Sequence, residues 1–262
     1  MNKDINLRTV FNSEAQLYHA IRPRYPETLF DALIKVTNLK DTAYLLEIGP
    51  GTGQATEAFA KRGYRITAVE LGAELAKVAR EELKNYKNVE VLTGAFEDVE
   101  LAHNTFDLVF AATAFHWVKP EVRFTKPHKL LKQNGHLAII RTNHVSDEAG
   151  DEFYFAAQPI YEKYKLADKD YSFRLPRTAK LKAEDLDENL FDLTFFHAFP
   201  LIVPYSAEEY SQLIGTFSPT LSMKQDIRAE FLKNISELIK KQFGGRLLKR
   251  YAMTLTIAKK KN

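Results

Sequence analysis

Segments typical of strands and segments typical of helices alternate along the chain from residue 41 to about residue 141. The helical segments carry apolar residues at a spacing of three or four. The runs with strand composition are AYLLEIG, YRITAVE, NVEVLTG, FDLVFAA and HLAIIRT. The fourth run is continuously apolar, as expected for a strand that is covered on both faces. Strands joined by helical crossovers predict a doubly wound α/β fold, with a parallel sheet between two layers of helices.

The chain on either side of this alternation has a different character. Two short predicted helices come first, separated by RPRYP, whose prolines lack an amide donor. Past residue 141 comes an aromatic-rich stretch, typical of a lid over a site or of a small separate core, and then LTFFHAFPLIVPYS, which has strand composition. The predicted division has four parts. Residues 1–40 form an N-terminal helical segment, and residues 41–141 form the core. Residues 142–205 form a cap insert with a return strand, and residues 206–262 form C-terminal helices and a closing strand of the same domain.

The C-terminal part contains two predicted helix starts and one predicted strand. Ser206 and Glu209 have the spacing of a capping box, and Ser222 and Gln225 repeat it. The closing segment YAMTLTIAKK alternates between apolar and polar residues, which is typical of an antiparallel strand at the edge of a sheet.

Three glycines alternate with other residues where the first predicted strand ends, in Gly49-Pro50-Gly51-Thr52-Gly53. Without side chains, the backbone and the free amides of a helix N-terminus can approach a ligand closely. The third glycine of the dinucleotide pattern G-x-G-x-x-G would fall at Gln54, and the lysine of a P-loop is missing. Glu47 would repel a pyrophosphate and would tolerate a cationic or zwitterionic ligand. The turn therefore argues against a nicotinamide dinucleotide.

Glu70 ends the second predicted strand, YRITAVE. In a doubly wound sheet the tip of this strand lies beside the first glycine turn, where a carboxylate can accept hydrogen bonds from both hydroxyls of a ribose. A glutamate at the end of a strand is, taken alone, more often a solvated loop residue. The glycine turn shortly before it favours the ribose interpretation.

The composition argues against several kinds of site and partner. Cysteine is absent, which excludes disulfides, thiolate metal sites and a cysteine nucleophile. The histidines have no metal-ligand spacing, so no metal is expected. The excess of basic over acidic residues is 37 − 34 = 3, too small to indicate nucleic-acid binding. Neither a membrane span nor a signal peptide is evident, so a cytoplasmic protein without a membrane partner is expected.

Several motifs occur in the order found in one enzyme family: LLEIGPGTGQAT, ITAVE, GAFEDV, FDLVFAATAFHWV and LLKQNGHLAII. Over residues 11–141 the chain resembles the class I S-adenosylmethionine-dependent methyltransferases. RPRYP and AFHW resemble, more narrowly, the type 11 small-molecule group that includes trans-aconitate methyltransferase. The resemblance implies a Rossmann-like, mostly parallel seven-stranded sheet with an antiparallel last strand and an α-helical cap insert. It also implies that the segment 1–40 lies over the cofactor site.

The resemblance further implies which residues hold S-adenosylmethionine. The glycine turn would pass close to the methionine and the ribose, with Glu47 near the amino group. An aspartate often stands where this chain has Ala95, so the hydrogen bond to the adenine would come from elsewhere, for example Glu97, or be lost. The implied cofactor-binding residues are Tyr18, Arg22, Glu47, Gly49, Gly51, Gly53, Glu70, Leu71, Ala95, Phe96 and Ala112.

Aromatic residues are candidates for the wall around the positively charged sulfonium. Tyr18, Phe115 and Trp117, the single tryptophan, could form this wall, although Trp117 fits core packing equally well. Arg22 could pair with a carboxylate of the cofactor or of the substrate. The predicted substrate-binding residues are Tyr25, Phe115 and Trp117.

Two histidines are candidate general bases. His116 follows the fourth predicted strand and His144 follows the fifth, so both are expected at the edge of the sheet where ligands bind. An imidazole there could take a proton from a hydroxyl or amine nucleophile. A carboxylate nucleophile would need no base, and His116 could instead form a hydrogen bond within its loop.

The predicted function is methyl transfer from S-adenosylmethionine to oxygen, nitrogen or carbon of a small molecule, by in-line displacement. Two alternatives remain open from the residues. One is a cofactor-binding regulatory or partner protein without turnover, and the other is a nicotinamide-dependent oxidoreductase. A monomer and a homodimer are both compatible with the sequence.

Overall fold

The computed structural model of the protein describes residues 15–146, 152–166 and 175–262. The described residues form two units, each built from separate stretches of the chain. The sheet unit comprises Arg24–Thr142, Lys182–Phe199 and Met253–Asn262, and the helical unit comprises the described residues of Met1–Pro23, Asn143–Leu181 and Pro200–Ala252. Parts of the predicted segments 1–40 and 142–205 lie outside the described residues. The predicted division at residues 40, 141 and 205 stays a prediction.

One seven-stranded sheet is present in the described part of the chain. Its strands are β1 Tyr44–Ile48, β2 Arg65–Glu70, β3 Val89–Thr93, β4 Phe106–Ala112, β5 Leu131–His144, β6 Phe191–Ser206 and β7 Arg246–Lys260. Their order across the sheet is β3-β2-β1-β4-β5-β7-β6. The pairs β1/β2, β1/β4, β2/β3 and β4/β5 are parallel. The mixed sheet, with β7 antiparallel, confirms the predicted Rossmann-like α/β fold.

Helices connect these strands and form much of the helical unit. Those of the sheet unit are α2 Glu27–Thr37, α3 Gln54–Ala60, α4 Ala73–Glu82, α5 Pro120–Arg123 and α6 Thr125–Leu130. Those of the helical unit are α1 Ala15–Ile21, α7 Glu152–Lys163, α8 Ala207–Gly215, α9 Ser218–Leu221 and α10 Gln225–Gln242. Two short 3-10 turns cover Phe115–Trp117 and Thr178–Lys180. The helices α3 and α4 join β1 to β2 and β2 to β3, as the predicted helical crossovers require.

Each unit has its own apolar core. In the sheet unit, the ring of Phe59 on α3 lies 5.2 Å from that of Phe30 on α2 and 4.8 Å from that of Phe110 on β4, between ring centroids. In the helical unit, Phe231 and Ile235 of α10 are fully buried in a cluster that includes residues of α7 and α8. The packing of Phe59 attaches α2 and α3 to β4, one of the strands on which the candidate site is built.

The position of the last strand corrects one prediction. β7 was expected at an edge of the sheet but lies between β5 and β6, so β6 is the edge strand. The threonines that produce the alternating pattern of β7, Thr254 and Thr256, are buried like their apolar neighbours. The hydroxyl of Thr256 accepts a hydrogen bond from the amide of Glu184 at 3.0 Å. A buried and hydrogen-bonded threonine looks polar in the sequence although it belongs to the interior.

The start of β5 corrects a second prediction. The predicted strand HLAIIRT begins at His136, but β5 already begins at Leu131. Phe106 pairs with Leu131 and Leu108 pairs with His136, so β5 contains extra residues relative to β4 at this point. Asn134 has a φ of 66°, which fits a local bulge in the strand.

One of the two predicted capping boxes is present. The hydroxyl of Ser206 accepts from the amide of Glu209 at 3.1 Å, and the carboxylate of Glu209 accepts from the amide of Ser206 at 2.7 Å. The prediction at Ser222 was wrong, because its hydroxyl donates to the carbonyl of Ser218 and α10 begins after Lys224 without a side-chain cap.

We expect Ser206→Ala to lower the free energy of unfolding by about 1 kcal/mol, because it removes the acceptor for the first turn of α8. Ser222→Ala is the matched control and should change the free energy of unfolding by less than about 0.5 kcal/mol, since the side chain of this serine caps no helix N-terminus. Urea denaturation of the two variants gives the comparison. Equal losses in both variants would contradict the assignment of the cap.

Candidate active site

The glycine turn joins β1 to α3 in a backbone conformation that other residues rarely adopt. The φ angles of Gly49, Gly51 and Gly53 are 65°, 59° and 89°. The amide of Gly49 donates to the carbonyl of Val69 on β2 at 2.9 Å. The turn therefore lies at the carboxyl ends of β1 and β2, the edge at which ligands bind in doubly wound sheets.

Two of these glycines are also required by packing. A Cβ atom at Gly49 would lie 2.6 Å from the Cβ atom of Ala114, in the segment after β4. A Cβ atom at Gly53 would lie 2.9 Å from Cδ1 of Leu83, at the end of α4. The sequence suggested the approach of a ligand as the reason for the glycines, whereas these two positions face other parts of the protein.

Glu70 connects the tip of β2 to the glycine turn. Its side chain is buried, with 6% of the residue exposed. Its Oε2 atom accepts from the amide of Gly51 at 2.9 Å, and its Oε1 atom accepts from the amide of Gly72 at 2.8 Å. Each carboxylate oxygen can accept more than one hydrogen bond. Glu70 can therefore hold the turn and also accept hydroxyls of a ligand at the same edge of the sheet.

Glu47 is the most deeply buried acid of the site, with 0% of the residue exposed. Its Oε2 atom accepts from the hydroxyl of Thr56 on α3 at 2.5 Å, while its Oε1 atom is buried without a hydrogen-bond partner. Burial, and to a lesser degree the negative charge of Glu70, raises the pKa of Glu47 from 4.5 to about 8, although the Thr56 hydroxyl lowers it. An unpaired buried oxygen of this kind favours a cationic partner.

Hydroxyl groups meet at the end of β4. Thr113 follows the strand with a φ of 59°, unusual for a β-branched residue. Its hydroxyl lies 3.0 Å from the phenol oxygen of Tyr25 and 3.2 Å from the hydroxyl of Thr142. Tyr25, predicted to contact the substrate, is therefore anchored at the end of β4. Thr113 was missed, because only its backbone conformation, invisible in the sequence, distinguishes it.

His116 lies in the 3-10 turn that follows, with its ring 4.8 Å from that of Trp117 between centroids. Arg123 fixes this turn, since its Nη2 atom donates to the carbonyls of His116 and Val118 at 3.1 and 2.8 Å. His116 is exposed, but partial loss of water around its imidazole, followed by the positive charges of Arg141 and Arg123, lowers the pKa of His116 below its usual value of 6.5. A neutral imidazole at neutral pH is the form that a general base requires.

Arg141 and Glu184 form an ion pair that acts on the same histidine. Nε and Nη2 of Arg141 both donate to the carboxylate of Glu184. The charge of Glu184 raises the pKa of His116 and so opposes the effect of Arg141. This pair was missed, because its partners are 43 residues apart in the chain.

The remaining predicted residues of the sheet unit differ in burial. Those that are half-buried are Leu71, Ala95, Ala112 and Trp117. Phe96 and Phe115 are only 3% and 2% exposed, and both belong to the apolar core of the sheet unit. Glu97 accepts from the amide of Lys119 at 2.9 Å.

Three predicted residues, Tyr18, Arg22 and His144, belong to the helical unit. The guanidinium of Arg22 lies 4.6 Å from the ring centroid of Tyr18 and 4.5 Å from that of Phe217. It donates to the hydroxyl and the carbonyl of Thr216 at 3.1 and 3.0 Å. The ring of His144 is 6.0 Å from that of Phe217. The helical unit thus brings Arg22 and His144 to Phe217, and Tyr18 to Arg22.

The described residues contain neither a candidate metal cluster nor a helix suited to spanning a membrane. Within these residues, no group of three or more histidine, aspartate or glutamate side chains could hold a metal ion. No helix in the same part of the chain is both long and apolar enough to cross a membrane.

The core of this chain is similar to proteins described as methyltransferases. A family model described as "Methyltransferase domain" matches residues 46–139, which include the glycine turn and β2 to β4. An uncharacterised methyltransferase-like protein of Schizosaccharomyces pombe is 27% identical over 242 residues, 92% of this chain and 89% of that protein. An uncharacterised methyltransferase of Mycobacterium tuberculosis is 30% identical over 130 residues. That match spans 50% of this chain and 51% of the relative, about half the length of each.

Solved structures share the fold. A candidate type II methyltransferase from Anaeromyxobacter dehalogenans aligns with a TM-score of 0.63 and 19% identity, over 91% of this chain and 97% of that one. Phosphoethanolamine N-methyltransferase 2 of Haemonchus contortus, solved with phosphomonomethylethanolamine and S-adenosylhomocysteine, aligns with a TM-score of 0.50 and 15% identity, over 96% of this chain and 58% of that one.

Proposed function

We propose that this chain is a class I S-adenosylmethionine-dependent methyltransferase and that it transfers the methyl group to a small-molecule acceptor. S-adenosylmethionine is the cofactor of this domain. The observation that carries the proposal is the pair of acids at one sheet edge, the buried Glu47 and the turn-binding Glu70. Together they suit a ligand that has a cationic end and a ribose.

The cofactor is proposed to bind along the carboxyl ends of β1, β2 and β4. We infer that Oε1 of Glu47 accepts from the ammonium group of the methionine part, since this buried atom has no partner in the protein. Glu70 is proposed to accept from the ribose hydroxyls with the same carboxylate that accepts from the amides of Gly51 and Gly72. Leu71 and Ala95 are assigned to the adenine, and Ala112 is assigned to the methionine. When bound, the cofactor supplies an activated methyl group.

The acceptor is proposed to bind beyond β4, next to the sulfonium. Tyr25, Thr113 and Thr142 offer hydroxyls there, and Trp117 offers an aromatic face. Hydroxyls can orient a small polar nucleophile, and an aromatic face suits the positive charge of the sulfonium. His116, whose pKa is lowered, is assigned as the base that takes the proton from a hydroxyl or amine nucleophile. The small net charge of +3 supports a small molecule rather than a nucleic acid.

The experiment that tests this proposal measures turnover. The chain is incubated with methyl-labelled S-adenosylmethionine and a panel of small hydroxyl, amine and carboxylate compounds, with transfer RNA and an unfolded protein as macromolecular acceptors. We expect label in at least one small product and none in the macromolecules. Label only in a macromolecule would overturn the small-molecule assignment, and cofactor binding without any turnover would favour a regulatory protein. Stabilisation by NADH, but not by S-adenosylhomocysteine, would contradict the cofactor assignment.

We expect His116→Ala to reduce turnover by at least about 100-fold with little change in cofactor affinity, because a general base contributes this much to proton transfer. Protonation removes the base, so at saturating cofactor the wild-type rate should fall as the pH drops through a pKa below 6.5 and be constant at neutral pH. His103→Ala, at an exposed histidine outside the site, is the control. Unreduced turnover in His116→Ala would mean that the site acts by positioning alone.

A further inference from the structure

Thr56 was not identified from the sequence, although it is fully buried and has a specific partner. Its hydroxyl, on the first turn of α3, donates to Oε2 of Glu47 at 2.5 Å. A buried threonine on a helix often bonds only to the carbonyl of the preceding turn, as Thr37 does to Leu33 on α2. Thr56 instead orients a carboxylate on the neighbouring strand.

Among the described residues, no positively charged group contributes to the pKa shift of Glu47. Its register partners on β2 and β4 are Ala68 and Phe110, neither of which is charged. The charged group that acts on it is Glu70, whose negative charge opposes ionisation. Its Oε1 atom has no hydrogen-bond partner and no contact with solvent. In the protein without ligand, the neutral acid is therefore the favoured form.

We propose that Thr56 positions Glu47 to receive the ammonium group of the cofactor's methionine part, and that Glu47 gives up a proton when the cofactor binds. The inference rests on the proposed cofactor site and adds to it the protonation state of the acid. The carboxylic acid and the incoming ammonium group become a carboxylate–ammonium pair, and the proton passes to the solvent. Thr56 holds Oε2, so that the unpaired Oε1 is the atom left for the ligand.

The direction of the pH effect follows from the raised pKa of Glu47. With a pKa of about 8, the acid is mostly protonated at neutral pH in the free protein. An adjacent cation favours the carboxylate and lowers this pKa in the complex. Binding should then release close to one proton at neutral pH, and affinity should rise by up to about tenfold per pH unit. The rise ends at the pKa of the free protein, above which Glu47 is already ionised.

Isothermal titration calorimetry of the whole chain tests the proposal. S-adenosylhomocysteine is titrated at neutral pH in phosphate and in Tris, whose different ionisation enthalpies give the number of protons released. 5′-Methylthioadenosine, which has the same nucleoside but no ammonium group, is titrated in parallel. We expect close to one proton for the first ligand and none for the second. No proton release with S-adenosylhomocysteine, or equal release with both ligands, would overturn the proposal.

Variants separate the two residues. Glu47→Gln has nearly the same shape but cannot ionise, so it should bind S-adenosylhomocysteine without proton release and without the rise in affinity with pH. Thr56→Val should bind S-adenosylhomocysteine about tenfold more weakly and 5′-methylthioadenosine normally. Thr56→Ser keeps the hydroxyl and should bind S-adenosylhomocysteine as tightly as the wild type. Thr37→Val, on another helix, should leave the affinities for both ligands unchanged.

The outcomes also separate this inference from the proposed function. Proton release that persists in Glu47→Gln would assign the proton to another group and contradict the inference alone. A wild-type chain that binds neither nucleoside would contradict the cofactor site itself, and the inference with it. Equal weakening of both ligands by Thr56→Val would show a structural role for Thr56 instead of positioning.

Discussion

Gly49→Ala is expected to lower the free energy of unfolding by about 2–5 kcal/mol. The φ angle of 65° at this position costs a residue with a Cβ atom about 1–2 kcal/mol. The new Cβ atom would also lie 2.6 Å from that of Ala114, and such overpacking adds about 1–3 kcal/mol. Thermal and urea denaturation measure the effect, and the displaced turn should also lose its affinity for S-adenosylhomocysteine.

Gly63→Ala is the matched control for this change. Gly63 has a φ of 86°, but a Cβ atom there would have no neighbour within 4 Å. It should therefore lose only the backbone contribution of about 1–2 kcal/mol and keep its cofactor affinity. If Gly49→Ala were no less stable than Gly63→Ala, the close contact with Ala114 would not limit the residue at position 49.

Glu70→Ala is expected to weaken the binding of S-adenosylhomocysteine by at least about 1–3 kcal/mol, roughly 5- to 150-fold. The change removes the proposed acceptor of the ribose hydroxyls. It also leaves the amides of Gly51 and Gly72 without the carboxylate that now accepts from them. Isothermal titration calorimetry gives the affinity, and circular dichroism confirms that the variant is folded.

The control for Glu70 is a second glutamate close by in the chain. Glu74 is exposed in the first turn of α4, and Glu74→Ala should leave the affinity unchanged. An unchanged affinity in Glu70→Ala would contradict the ribose assignment. A loss of affinity for 5′-methylthioadenosine of similar size would support it, because this ligand retains the ribose.

The sequence was sufficient to predict the strands that lie side by side in the parallel part of the sheet. Apolar runs and helical spacing located β1 to β4, because burial on both faces leaves a strong pattern along the chain. The pattern failed for β7, where buried threonines resemble solvent-facing residues. The apolar pattern also placed the start of β5 too late. This strand begins at Leu131 and includes the left-handed residue Asn134, which marks a bulge.

The candidate site was predictable where chemistry and chain position coincide. Glu47 lies just before the glycine turn, and Glu70 ends the adjacent strand. The pairing of β1 with β2 therefore brings both residues to one edge of the sheet. Thr56 and Thr113 were not predictable, because their importance depends on which way a hydroxyl points. The low exposure of Phe115 also followed from packing against Phe124, at 5.3 Å between ring centroids, which the sequence did not reveal.

The place of β7 between β5 and β6 has a consequence for folding kinetics. β7, which follows β6 in the sequence, fills the interior of the sheet, so β6 cannot join the sheet through its native neighbour until β7 has been synthesised. Pairings between strands so far apart in the chain are slow to form, because a long loop must close before any contact is gained. We expect the nascent chain to complete its sheet only after β7 has left the ribosome, with β5 and β6 exposed to chaperones until then.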